Sequence, residues 1–237
     1  MFIPFQDQLY ETVFIERVNR FILSCKLSSN GEVITVHLPD PGRLKELLVK
    51  GNIVYVSYHE VPHRKTKWTA QLVKKRDADR LVSLRSTLPN GLIEEALKQK
   101  KLPEFEPYSF VQREFTYGGS RWDFLLENNK APYLLEVKSV TMEKDGKGYF
   151  PDAPTKRGTK HVKHLTKITR EGIYKTGILF VCQRSDIDEV RVADWIDLQF
   201  AEALGQARET GVDVYARSCY ISLEGITLNQ PVPVQLT

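Results

Sequence analysis

The hydrophobic period changes once along this chain, at Leu88-Pro89-Asn90-Gly91. Before that point, apolar residues recur at every second position in short runs, the period of a strand with one buried face. After it, strand-like runs alternate with stretches whose apolar residues recur at three and four. The pattern predicts an all-β unit over residues 1–85 and an α/β unit over residues 86–237.

In the first part, TVFIERVNRFILSCKL alternates broadly, Ser28-Ser29-Asn30-Gly31 turns the chain, and EVITVHL follows. LPDPGR is a tight turn, and RLKELLV has room for one or two helical turns. NIVYVSYH, KWTAQLVKKRD and RLVSLRS continue the strand pattern. Five short strands with a small helical insert predict a closed barrel of the OB type. In the second part, Asn90 is expected to cap the helix LIEEALKQKKL, with Leu92, Ile93, Ala96 and Leu97 as its apolar stripe. FVQREFTYG, SRWDFLLEN and PYLLEVKSVT read as three strands, followed by the irregular loop MEKDGKGYFPDAPTKRG. A helix near TKHVKHLTKITREG comes next, then TGILFVCQR, an apolar run expected to be a buried central strand. The helix LQFAEALGQARETG ends at a glycine cap, and VDVYARSCYIS is a last strand. The expectation is a central mixed sheet flanked by helices. The terminal NQPVPVQLT suits an edge strand or a homodimer contact.

The formal charge of +4 says little, but basic residues concentrate at 64–80 and 156–167. Patches of that kind favour a polyanion, against the plainer reading of a solvated face. The three cysteines, Cys25, Cys182 and Cys219, have no metal-ligand spacing and read as buried small side chains. No run is long enough to span a bilayer as a helix. The opening MFIPFQDQLY has no basic stretch followed by an apolar core, so the expected location is the cytoplasm.

Asp123, Glu136 and Lys138 carry the chemistry. Glu136 and Lys138 lie two apart on one strand and share a face, while Leu135 and Val137 point into the core. Asp123 is on the preceding strand, and hairpin pairing brings it beside Glu136. Glu95, one turn beyond Leu92, is the expected third carboxylate. Such a site suits Mg²⁺ or Mn²⁺ rather than zinc. In it Lys138 would orient the attacking water or offset charge on a phosphate. A Glu-x-Lys pair on a solvated edge is the competing reading. Asp152 and Thr155 lie in the loop after the strand. Thr155, Lys156, Arg157 and Gly158 precede a helix with Lys160 and His161 in its first turn, a place to hold phosphate, and His161 and His164, three apart, read as phosphate contacts or packing residues. Ser139 and Thr141 are expected to support the carboxylates, together with Asp152, Thr155 and His164. Lys65, Lys67 and Trp68 suit a positive groove with an aromatic platform. Arg20, Arg43 and Arg121 are further expected nucleic-acid contacts, Arg43 from a turn at 40–43 that lines a cleft. There is no helix-turn-helix pattern. A glycosidase pair of Asp123 and Glu136 is a third reading, disfavoured by Lys138 and the basic loop.

HLPDPGRLKELL, LPNGLIEEAL, SRWDFLL, LEVKSVT and GYFPDAPTKRGTKHVKHL, with Asn19-Arg20-Phe21, together resemble the sugar fermentation stimulation protein A (SfsA) family over nearly the whole chain. The resemblance implies an N-terminal OB-like domain. It also implies a C-terminal restriction-endonuclease-like domain similar to the PD-(D/E)XK nuclease superfamily, whose pattern falls on Asp123, Glu136 and Lys138 with Glu95 as the helix carboxylate. The implied activity is metal-dependent hydrolysis of DNA or RNA. The alternative it implies is a non-catalytic DNA-binding regulator of sugar, notably maltose, metabolism.

Overall fold

A computed structural model describes residues 1–60, 66–75 and 79–236. In chain order its strands are β1 (Phe2–Pro4), β2 (Leu9–Asn19), β3 (Ile22–Leu27), β4 (Val33–His37), β5 (Ile53–Tyr58), β6 (Trp68–Lys75) and β7 (Arg80–Ser83). Helix α1 (Leu88–Lys98) follows, then β8 (Ser109–Tyr117), β9 (Ser120–Glu127), β10 (Tyr133–Val140), β11 (Met142–Lys144) and β12 (Lys147–Phe150). The chain continues through α2 (Lys156–Glu171), β13 (Lys175–Cys182), β14 (Glu189–Val192), α3 (Leu198–Thr210), β15 (Asp213–Ile221), β16 (Gly225–Pro231) and β17 (Val234–Gln235).

Strands β2 to β6 close into a barrel. Neighbours pair antiparallel, and the parallel pairing of β4 with β6 shuts the ring. That is the OB topology, which leaves no free edge among the five. Alternation along β3 and β4 places Leu23, Cys25, Leu27, Ile34 and Val36 inside. The run TVFIERVNRFILSCKL divides into two strands, β2 and β3, because Asn19 accepts from the Phe21 N–H and turns the chain. RLKELLV forms no helix. It makes a single turn, in which Leu48 N–H bonds Leu44 C=O, while Leu44 and Leu47 plug the barrel end. Burial of two leucines three apart outweighs the propensity for a further turn.

The larger sheet runs β1-β16-β15-β13-β10-β9-β8, with β10, β13 and β15 parallel at its centre. Helices α2 and α3 cover one face through Val162, Leu165, Phe200 and Leu204, packed on Leu134, Ile178 and Phe180. Helix α1 covers the other through Leu92, Ile93, Ala96 and Leu97, packed on Leu135, Val137 and Leu179. The expected run from 1 to 85 is not wholly barrel, because β1 lies on the edge of this sheet beside β16. Ile3 is drawn there by the apolar cluster beneath α1. The terminal segment forms strands, β16 pairing with β15 and β17 with β14, and β17 is the edge strand of its sheet. All three cysteines are free and buried. Among the described residues no helix is long and apolar enough to cross a membrane.

A buried charge cluster joins barrel to sheet. Arg184 is fully enclosed and donates to Asp186, Glu143 and the Thr141 carbonyl. Lys75, from β6, reaches Glu143 at 2.6 Å. Ser83 N–H also bonds the Gln183 carbonyl, so the barrel sits in fixed register over the C-terminal ends of β10 and β13.

Candidate functional site

Beneath that junction lies a cavity of about 500 Å³. Asp123, Glu136, Lys138, Ser139 and Thr141 line it from the sheet and its strand ends, Asn90 from α1, Tyr149 from β12, Asp152 from the loop after β12, Arg157 from the start of α2, and Asp40 to Gly42 from the barrel. The β9–β10 ladder runs to Phe124↔Leu135, one pair short of Glu136. There the Asp123 carboxylate accepts the Val137 N–H at 2.7 Å, in place of a ladder bond, and Asn90 Nδ2 bonds its other oxygen at 2.7 Å. Burial, then the charge of Glu136, pushes the Asp123 pKa up to about 6.

Glu136 is more enclosed. Its Oε1 accepts from His161 Nδ1 at 2.7 Å and from Lys138. Burial opposes its charge, but Lys138 and His161 outweigh that and hold the carboxyl below its ordinary pKa. Oε2 is buried without a hydrogen-bond partner. A buried carboxylate oxygen left unpaired is costly unless something positive meets it. Asp123 beside it makes a hard oxygen pair of the kind that holds a small divalent cation together with several waters. Among the described residues no group of three or more Asp, Glu, His or Cys gathers closely enough to hold a metal by itself.

The barrel turn forms the opposite wall. Gly42 N–H donates to Asp40 at 2.7 Å, and Arg43 N–H to Asp152 at 2.9 Å. A Cβ on Gly42 would collide with the Asp152 carboxylate, so only glycine lets the two loops meet. Burial pushes the Asp40 pKa up to about 6, with the Gly42 N–H opposing and the Asp152 charge adding to the rise. Arg17 donates to the carbonyls of Gly42 and Arg43, and Arg20 to that of Pro41, which fixes the turn from the barrel side.

Several expected residues are elsewhere. Glu95 stays outside the cavity, its side chain 43% exposed and 3.5 Å from Lys98. The reason is helical phase. The helix starts at Leu88, where Pro89 suits the first turn, so Asn90 is inside the helix rather than its cap. Asn90 points at Asp123, and a residue five positions on lies about 140° around the axis from it. His161 is buried, edge-on to Trp122, and serves Glu136 instead of a phosphate. His164 bonds Ser120 at 2.7 Å, away from the carboxylates. Trp68 is wedged between Tyr10 and Tyr58 on the barrel, and Lys67 pairs with Glu60. Arg121 is exposed near Glu114. Lys65 lies outside the described residues. Thr155 caps α2 by accepting the Gly158 N–H, and Ser139 accepts from Gln183. Lys156, Arg157 and Lys160 are exposed on the first turns of α2. The sequence reading missed Asn90 as a partner of Asp123, for which the Pro at helix position two was the available signal. The turn at 40–43, expected to line a cleft, supplies Asp40, Pro41 and Gly42 to the cavity wall.

An OB barrel set over an α/β sheet with Asp123 and Glu-x-Lys at its strand ends defines a two-part protein of restriction-endonuclease-like build. A family model described as the SfsA N-terminal OB domain matches residues 15–84, and one described as the sugar fermentation stimulation protein RE domain matches residues 87–225. The chain belongs to the SfsA family. It is 45% identical to the sugar fermentation stimulation protein homolog of Shouchella clausii, over 93% of this chain and 95% of that one. Its identity to the Desulforamulus reducens homolog is 40%, over 97% and 93%. The solved structure of Pyrococcus furiosus SfsA in complex with Ca²⁺ superposes with a TM-score of 0.87, 26% identity and 98% coverage of both chains.

Proposed function

We propose that this protein is a divalent-metal-dependent nuclease that hydrolyses phosphodiester bonds in DNA or RNA. The observation that carries the reading is the buried Oε2 of Glu136, left without a hydrogen-bond partner on a residue that lines the same cavity as Asp123, with Lys138 on the same strand face. A bound Mg²⁺ or Mn²⁺ would supply Lewis-acid activation of the phosphate and of an attacking water. Asp123 and Glu136 are the residues to hold it. Asn90 and the Val137 N–H fix the Asp123 carboxylate; His161 and Lys138 occupy Oε1 of Glu136 and so leave Oε2 as the free donor. The Lys138 ammonium is placed to offset charge that develops on the phosphate. Arg157, with Lys156 and Lys160 beside it, holds the substrate backbone, and the barrel turn at 40–43 closes the cavity from above. Ca²⁺ in the P. furiosus relative supports divalent-cation binding by this architecture.

One observation favours a non-catalytic DNA-binding protein instead: both Asp123 oxygens are already hydrogen-bonded, and among the described residues no third carboxylate gathers closely enough with the pair to hold a metal. Labelled single- and double-stranded DNA and RNA incubated with Mg²⁺, Mn²⁺ or EDTA decide between them. We expect metal-dependent cleavage that disappears in Glu136→Gln and Lys138→Ala while binding persists. Binding by the wild type with no cleavage under either metal sinks the nuclease reading.

A further inference from the structure

The groove leading out of the carboxylate cavity has an aromatic wall that hydrolysis alone does not use. Trp195 stands on the turn between β14 and α3, 61% exposed. Large aromatic side chains are rarely left so open on a soluble protein without a use. Tyr149 meets it edge-on, with ring centroids 4.9 Å apart at 69°, and Tyr149 itself lines the Asp123–Glu136 cavity. Across from Trp195 is the barrel turn, with Arg43, Leu44, Lys45 and Glu46, and the space between is about 460 Å³. Asp152 lines both spaces, so they adjoin.

The walls are preset. Leu44 is buried in the barrel core, Arg17 ties down the carbonyls of Gly42 and Arg43, and Asp152 takes the Arg43 N–H. On the other side, Asp197 caps α3 and accepts the Thr155 N–H, which anchors the Trp195 turn to the start of α2. Among the described residues the exposed side chains of Arg43 and Lys45 form no ion pair, whereas Asp152 is committed to the Arg43 backbone. An open indole face flanked by two unpaired cations matches the chemistry of a nucleotide: a flat base next to a phosphate.

We propose that this groove is a subsite for an unpaired nucleobase, which stacks on Trp195 while its phosphate rests between Arg43 and Lys45 and the neighbouring phosphodiester enters the Asp123–Glu136 cavity. The proposal rests on the phosphodiesterase reading and narrows its substrate. A base inside a duplex already has both faces stacked and cannot cover Trp195. The groove therefore selects single strands, frayed ends or flaps over blunt duplex.

The test uses the full chain as wild type, Trp195→Ala, Trp195→Phe and the control Tyr220→Ala, which alters another exposed aromatic far from the groove. Fluorescence anisotropy in Ca²⁺ measures affinity for a fluorescein-labelled oligothymidylate and for a blunt duplex, and gels score cleavage of the same strands in Mg²⁺ and Mn²⁺. We expect Trp195→Ala to weaken single-strand binding about ten-fold, with Trp195→Phe recovering most of it and duplex affinity staying within about two-fold. Tyr220→Ala should match wild type, and circular dichroism should show all variants folded. Equal single-strand affinity in Trp195→Ala and wild type overturns the subsite, as does an equal loss for strand and duplex. If wild type cleaves but Trp195→Ala binds normally, the subsite falls and the nuclease reading stands. If nothing is cleaved yet single-strand binding depends on Trp195, the subsite stands and the nuclease reading falls.

Discussion

Replacing Asp123 with asparagine tests whether this carboxylate is held at a cost that a cation relieves. In the fold its pKa rises from 3.8 to about 6, first through burial and then through the Glu136 charge. A rise of about two pH units means that ionising Asp123 costs about 3 kcal/mol more in the fold than in the unfolded chain. The sign follows from linkage. Between pH 4 and 6 the folded protein holds this proton more tightly than the unfolded chain, so stability is lost as pH rises through that window. Asparagine removes the charge and keeps an acceptor for the Val137 N–H, giving back roughly 1 kcal/mol of charge assistance. The net gain for the metal-free variant at pH 7 is about 2 kcal/mol, or a rise of about 4–8 °C in Tm for a chain of this size. Differential scanning fluorimetry with EDTA from pH 4 to 8 measures it, and the gain should shrink to nothing at pH 4. Ca²⁺ adds the second half of the assay. At a hundred-fold excess over its Kd it should stabilise wild type by about 3 kcal/mol, and Asp123→Asn should lose that response. A variant that is less stable than wild type at pH 7, or that keeps the full Ca²⁺ response, refutes the reasoning.

Asn90→Ala leaves Asp123 without its side-chain partner, so metal-dependent cleavage should fall roughly ten-fold, about the effect of 1.4 kcal/mol on a barrier. Glu95→Ala, in contrast, should leave the rate of cleavage unchanged within about two-fold, because the Glu95 side chain lies at the surface beside Lys98, outside the cavity. Glu143→Ala strands the enclosed Arg184 with one carboxylate fewer and leaves Lys75 with its longer contact to Asp186 at 3.8 Å. Urea denaturation should show a loss of about 3–5 kcal/mol, and a loss below 1 kcal/mol would mean the cluster does not clamp barrel to sheet.

Much of this protein is written locally. The two-residue period of ILSCKL and EVITVHL, the apolar run TGILFVCQR and the glycine after α3 each state their element without help from the rest of the chain. The Glu136–Lys138 pair is equally local, because residues two apart on a strand must share a face. Asp123 is legible one step further out, since a short hairpin limits where the previous strand can lie. Placement across a helix or between layers is a different matter. The choice between Glu95 and Asn90 turned on where α1 begins: with its cap at Thr87, three residues before the expected cap, Asn90 is itself helical and meets Asp123, and Glu95 lies about 140° around the axis from it. His161 read as a phosphate contact because it lies near the start of a basic helix; only the packing of α2 on the sheet shows that its ring is enclosed against Trp122 and turned to Glu136.

The sequence alone determined the kinds of element, their order and the strand-borne carboxylate and lysine, because those follow from periods of two and 3.6 residues. The tertiary structure decided what stands around them. Asp40 approaches Asp152 across 112 positions of chain through the absence of a side chain on Gly42, and Trp195 comes to face Arg43 only because α3 and the barrel are both packed against the same sheet. Contacts of that kind depend on how buried surfaces fit between layers, a property shared by the whole core and carried by no single stretch of residues.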